Sequence, residues 1–158
     1  MLCEKILGNI KNTNHTKAVE TVDFEWHEIY KKLYKKITSS GEEIGIRLDN
    51  DILKKGLRDG DILYEDDKKT VVVNILPCKT IIVDVRPDHL ASVAKVCYEL
   101  GNRHPTLLHG EGDFQFLTPY TAPMKEMLEK IHGTTVHVDT IHLDFDKSIS
   151  STVNNHTH

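Results

Sequence analysis

Over the first half of the chain, apolar and polar residues alternate in short runs. Val22, Phe24 and Trp26 are separated by polar residues, and Ile44, Ile46 and Leu48 repeat that spacing. A period of two puts one face of a strand in a core and the other in water. Thr70 to Ile75 is β-branched and largely apolar, which predicts a buried strand. Asp59-Gly60-Asp61 and Asp66-Asp67-Lys68-Lys69 are turns on either side of a strand at Ile62-Leu63-Tyr64. The segment from Ile29 to Ile37 fits both a helical stripe and a strand. A helical turn near Glu28, a strand from Leu33 and a hairpin loop at Ser39-Ser40-Gly41-Glu42 reconcile the two. Residues 1–76 therefore read as an all-β domain.

Leu76-Pro77 marks a boundary, and the order of elements changes after it. Thr80 to Val85 is a strand. Pro87 and Asp88 open a helix, with Asp88 as its N-cap. Leu90, Val93, Ala94, Cys97 and Leu100 form the apolar stripe of that helix, and Gly101 is placed to end it with a positive φ. Pro105 to Leu108 and Phe114 to Leu117 read as strands around Gly110-Glu111-Gly112-Asp113. Thr121 to Ile131 is a second helix, burying Met124, Met127, Leu128 and Ile131. Thr134 to Phe145 is a final strand region whose phase shifts near Thr140. The order β-α-β-β-α-β over residues 77–146 is the ferredoxin-like pattern. Residues 147–158 are rich in Ser, Thr and Asn, without periodicity, and read as a flexible tail. The fold class expected is α+β: an N-terminal all-β domain, a ferredoxin-like βαββαβ domain and that tail.

Composition narrows the function. The 158 residues carry a net charge of −4, with 39% hydrophobic and 28% charged residues, the balance of a water-soluble protein. No apolar run reaches the roughly 20 residues that span a membrane, and the start lacks signal-peptide features, so a cytoplasmic location is the default. The main basic cluster, Lys31-Lys32 and Lys35-Lys36, is interleaved with Leu33, Tyr34 and Ile37, which suits a solvated face rather than a nucleic-acid patch. Cys3, Cys78 and Cys97 are an odd number without a Cys-x-x-Cys pair, so neither a disulfide framework nor a zinc knuckle is expected. No nucleophile elbow, phosphate loop, zincin motif or nucleotide fingerprint is present, and an enzyme is not expected.

Histidine is the residue that stands out. There are ten, and five of them lie after residue 130. His104 ends Gly101-Asn102-Arg103-His104 at the close of the best helical pattern, and His156-Thr157-His158 ends the chain. One histidine at a structured turn and two on a tail are too few for a closed metal site in one copy. They suit a site completed between two copies, carrying an ion rather than using it. The alternative for His104 is a charge-favoured position at a helix C-terminus. His137-Val138-Asp139 and His142-Leu143-Asp144 are two His-x-Asp pairs that read as the wet face of a strand or as surface metal ligands. His15, His27, His89, His109 and His132 read as isolated structural or surface residues.

The run Leu100-Gly101-Asn102-Arg103-His104, followed by Pro105, resembles the urease accessory protein UreE family of nickel metallochaperones. Gly45-Ile46-Arg47-Leu48 and Gly56-Leu57-Arg58-Asp59-Gly60-Asp61-Ile62-Leu63-Tyr64 support the resemblance, as does a β domain preceding a ferredoxin-like one. It covers essentially the whole chain. The resemblance implies a homodimer joined through the second domain, with His104 of each subunit on Ni(II) at the two-fold axis. It implies further ligands from His156 and His158; imidazole also suits Zn(II), which competes for such a set. It implies delivery of nickel to apo-urease together with a GTPase and other accessory proteins, with the first domain contacting partners. Two departures matter. The tail has only His-Thr-His, too little for a nickel store. Leu117-Thr118-Pro119-Tyr120 lacks the extra histidines some relatives carry, so an auxiliary copper-type site there is not expected.

Two other classes fit parts of the chain. A ferredoxin-like sheet can bind RNA through exposed aromatics, for which Phe114 and Phe116 are the only candidates. The His-x-Asp pairs would suit a metal-dependent hydrolase if a pocket and a base stood beside them. A zinc or copper carrier without a urease role is the nearest alternative to nickel.

Overall fold

The structure, a computed structural model, describes residues 1–14 and 16–149. The chain divides into two compact units, Met1–Leu76 and Pro77–His158.

The first unit is built from two three-stranded sheets. Strand β1 (Leu2–Cys3) runs parallel to β4 (Glu43–Arg47), which pairs antiparallel with β3 (Leu33–Ile37). In the second sheet β2 (Ala18–Phe24) runs parallel to β6 (Lys69–Ile75), and β5 (Ile62–Glu65) closes against β6 antiparallel. The alternating residues fill the core as their period requires: Val22, Phe24, Ile44 and Ile46 are all buried, with Val71 and Val73 of β6. Trp26 does not continue that row, because β2 stops at Phe24 and the chain turns, Glu28 N–H donating to Glu25 O at 2.9 Å. The ambiguous segment resolves into this turn and then β3. Tyr34 and Lys36 face inward on β3, each donating to Glu28, while Leu33 and Ile37 stay exposed. The unit is not wholly β, since Ile52–Lys55 forms a one-turn helix, α1, anchored by buried Ile52.

The second unit has the expected ferredoxin-like order. Its elements are β7 (Cys78–Val85), α2 (Ala91–Gly101), β8 (Leu108–His109), β9 (Gln115–Pro119), α3 (Ala122–Glu129) and β10 (Thr134–Ile141). The strands lie in the order β10-β7-β9-β8, all antiparallel. Ile81, Val83 and Val85 of β7 and Phe116 of β9 pack with Val96 and Leu100 of α2 and Met124 and Leu128 of α3. Thr121 caps α3, its hydroxyl accepting from the Met124 amide at 3.3 Å.

Several boundaries differ from the sequence reading. Pro87–His89 is a separate 3-10 turn and α2 starts at Ala91, so Asp88 is no N-cap. Leu90 and Ala94 lie outside the buried stripe of α2, which is Val96 and Leu100 flanked by half-buried Val93 and Cys97. Gly101 lies inside the helix without a positive φ. The strand expected at Pro105 shrinks to Leu108–His109. The last strand ends at Ile141, where the phase shift occurs, and Leu143 and Phe145 are buried beyond it. Phe145–Lys147 is a 3-10 turn packed against β8, and Ile149 N–H donates to Leu107 O at 2.9 Å. Residues 147–149 therefore belong to the folded unit rather than to the tail.

Candidate metal centre

His104 stands immediately beyond α2, exposed. Three amides close the helix end. Asn102 N–H donates to Tyr98 O, Arg103 N–H to Leu100 O and His104 N–H to Gly101 O, at 3.0 to 3.1 Å. The Arg103 guanidinium folds back on the last turn, donating to the Glu99 carbonyl at 2.8 Å and its carboxylate at 2.7 Å. Arg103 thus satisfies a carbonyl that a helix end leaves open. His104 itself has φ of 52°, the only positive value at a non-glycine residue among those described. Pro105 follows, and a residue before proline is disfavoured in the right-handed helical region. The helix ends at Gly101, and at His104 the chain turns away from the helical course ahead of Pro105, with the side chain exposed.

A row of exposed apolar residues leads to this histidine. Leu90 is 50% and Tyr98 66% exposed, and Ala94 between them is also exposed. A spacing of four residues puts all three on one face of the helix. Gly101, next in the row, has nothing within 4 Å of where a Cβ would sit. Leu107 and Leu108 do not extend this row. Leu108 is 1% exposed and Leu107 packs against the core of its own unit.

The other histidines sort differently from the sequence reading. His137 is exposed on β10, 3.9 Å from Asp84 of β7 rather than joined to Asp139. Asp139 accepts from the Thr140 amide and Asp144 from the Asp146 amide, so each carboxylate serves the local backbone. His156 and His158 lie outside the described residues. Among the described residues no three His, Cys, Asp or Glu side chains converge on one point. His89 and His132, isolated in the sequence, are paired in the fold: their Nε2 atoms are 2.9 Å apart. The topology contained this signal, because Val85 at the end of β7 is opposite Thr134 at the start of β10. Residues just after β7 and just before β10 must then be neighbours. Asp88 Oδ1 accepts from His89 Nδ1 at 2.8 Å, and this hydrogen bond holds the Asp88 carboxyl below its ordinary value.

Phe116 is buried in the core, so the aromatic pair needed for an RNA-stacking sheet is not on the surface. The thiols of Cys3 and Cys97 are both pushed above their usual titration range by burial. They are inert core groups rather than ligands held ready as thiolates. No helix among the described residues is long and apolar enough to cross a membrane.

Comparison with known proteins decides the family. Residues 3–76 match the N-terminal domain and residues 80–158 the C-terminal domain of the UreE urease accessory proteins. The chain belongs to the UreE family. It is 41% identical over 145 residues to the urease accessory protein UreE of Helicobacter pylori strain Shi470, covering 91% of this chain and 83% of that one. It is 41% identical over 132 residues to UreE of Helicobacter acinonychis strain Sheeba, covering 83% and 76% of the two chains. To UreE of Helicobacter bizzozeronii it is 37% identical over 131 residues, covering 83% and 73%. UreE proteins are accessory chaperones of urease maturation and not enzymes, as the lack of any catalytic motif led us to expect.

Proposed function

We propose that this protein carries Ni(II) as cargo for assembly of the urease active site. The ion is held between two copies of the chain by His104 of each, and His156 and His158 add ligands. The observation that carries this reading is the exposed His104, turned out of α2 at the end of the exposed apolar row Leu90, Ala94 and Tyr98. One imidazole on a surface is a poor metal site. Two brought together by a two-fold contact along that row begin a good one, because a two-fold axis presents the same patch from both copies. Imidazole is a suitable ligand for nickel, and Zn(II) and Cu(II) compete for the same nitrogen set. The Met1–Leu76 unit is then free to meet apo-urease and its other accessory proteins, including a GTPase. The cytoplasm is where this assembly takes place.

The test is a Ni(II) titration of the full chain followed by calorimetry and native mass spectrometry. Wild type should take one tight ion per dimer. His104→Gly suits the left-handed backbone, so it should remove that ion, weakening affinity at least ~10-fold, without loss of stability. The double variant His156→Ala, His158→Ala should weaken binding less and keep one ion per dimer. A tail variant more damaging than His104→Gly would overturn this ranking of the ligands.

A further inference from the structure

We propose a second cation site on each protomer, formed by His89 and His132 and suited to a late divalent transition ion that binds nitrogen ligands at right angles. It shares no residue with the His104 site.

The pair is held from several directions. Arg86 N–H donates to Gly133 O at 2.9 Å, and Ser92 Oγ donates to His132 O at 2.7 Å. Gly133 has φ of 84°, and a Cβ there would lie 2.4 Å from the His89 Cβ. Glycine at this position is what lets the His89 side chain approach the turn that carries His132.

Protonation follows from the partners. His89 Nδ1 gives its hydrogen to the Asp88 carboxylate at 2.8 Å. In the neutral ring this hydrogen bond leaves the Nε2 lone pair for a metal, the arrangement in which carboxylates orient metal-binding histidines. His132 Nε2 lies 2.9 Å from this nitrogen, and Arg86 Nη2 lies 3.2 Å from it, off the axis of its lone pair. Arg86 Nη2 also lies 3.2 Å from His89 Nδ1, and Arg86 Nε lies 3.6 Å from Asp88 Oδ1. To bind a cation, His132 would carry its hydrogen on Nδ1 instead of Nε2, leaving both Nε2 lone pairs for the ion, and the exposed Arg86 would move aside towards Asp88.

The distances select the ion. The ring centres are 4.6 Å apart while the nitrogens are 2.9 Å apart, so the rings lean towards a point between them. The two nitrogens are close enough to reach one ion at about 2 Å, the length of a metal–imidazole bond. At that bond length a right angle at the metal separates the nitrogens by about 2.9 Å and a tetrahedral angle by about 3.3 Å. The metal-free spacing, set by the hydrogen bond between the rings, lies nearer the right angle, the geometry of square-planar or octahedral Cu(II) and Ni(II). Two protein ligands leave the remaining positions to water or to a group on a partner.

The experiment uses the full chain with His104→Gly, His156→Ala and His158→Ala, titrated with Cu(II), Ni(II) and Zn(II). Calorimetry gives stoichiometry, and broadening of the histidine ring signals by Cu(II) locates the ion. One ion per protomer should remain, with Cu(II) at least ~10-fold tighter than Zn(II) and broadening at His89 and His132. Adding His132→Gln or His89→Gln should abolish it, and adding His137→Gln should leave it intact. Unchanged binding in both glutamine variants, or equal loss with His137→Gln, overturns the proposal, as does Zn(II) binding tighter than Cu(II). The nickel-carrier reading fails separately, if His104→Gly alone keeps the tight ion of the dimer.

Discussion

Thr70 on β6 is fully buried, and its hydroxyl is the only buried side-chain polar atom without a hydrogen-bond partner among the described residues. A buried hydroxyl left unpaired gives up its water for nothing in return. Thr70→Val keeps the shape and removes the polar atom, and should raise stability by about 1 kcal/mol. An equal or lower urea midpoint would show that the oxygen has a partner in solution. At this scale the position of His104 at an exposed helix end was legible in the sequence and its backbone was not. Gly101 is the residue that tolerates a positive φ at least cost, so it was the natural place to end the helix. The structure instead runs the helix through Gly101 and turns at His104. The proline after His104 disfavours another helical turn there, while Gly101 keeps a helical backbone.

The helix α2 has two apolar stripes where the sequence suggested one. Leu90 and Ala94 belong with Tyr98 on the outer stripe, and Val96 and Leu100 define the inner one. Periodicity identifies apolar faces but cannot tell which of two neighbouring stripes its own sheet covers. That depends on where α2 docks, a property of the sheet. The His89–His132 contact was missed for a related reason. Neither residue has a local signal, and the two come together only once β7 and β10 are paired. The turn between α3 and β10 gives a direct check. Gly133→Ala adds a methyl group against the His89 Cβ at a backbone angle that disfavours it. The variant should lose about 2 kcal/mol or more, read as a lower thermal midpoint. A midpoint within a degree of wild type would mean that the His89 segment yields freely.

For the whole molecule, the ferredoxin-like order of the second unit was legible because each of its longer elements carries its own period. The one-turn helix α1 and the two-residue strands β1 and β8 were not, being too short to show one. The outer stripe of α2 has its consequence at this scale. Tyr98 is two-thirds exposed, so Tyr98→Asp should leave the fold of the protomer intact while placing a charge at the contact proposed between copies. Light scattering at micromolar concentration should then give a monomer where wild type gives a dimer. A dimer that survived the change would move the interface away from α2. Obligate interfaces commonly bury upward of about 2,000 Å², more than the outer stripe alone provides, so residues around His104 should also be covered.

The hydrogen bond from Ile149 to Leu107 fixes where the end of the chain begins. His156 lies seven positions beyond Ile149, and Leu107 three positions beyond His104. At about 3.5 Å per residue these stretches reach at most roughly 25 Å and 10 Å. In the proposed carrier a terminal histidine shares a chain with His104, so its encounter with an ion held there would be a unimolecular step, indifferent to how dilute the protein is. Short tethers present a group at roughly millimolar effective concentration. A free peptide of residues 150–158, added to the chain carrying His156→Ala and His158→Ala, should have to approach that concentration before it restores nickel binding. Restoration at micromolar peptide would mean that the anchor at Leu107 contributes nothing to capture.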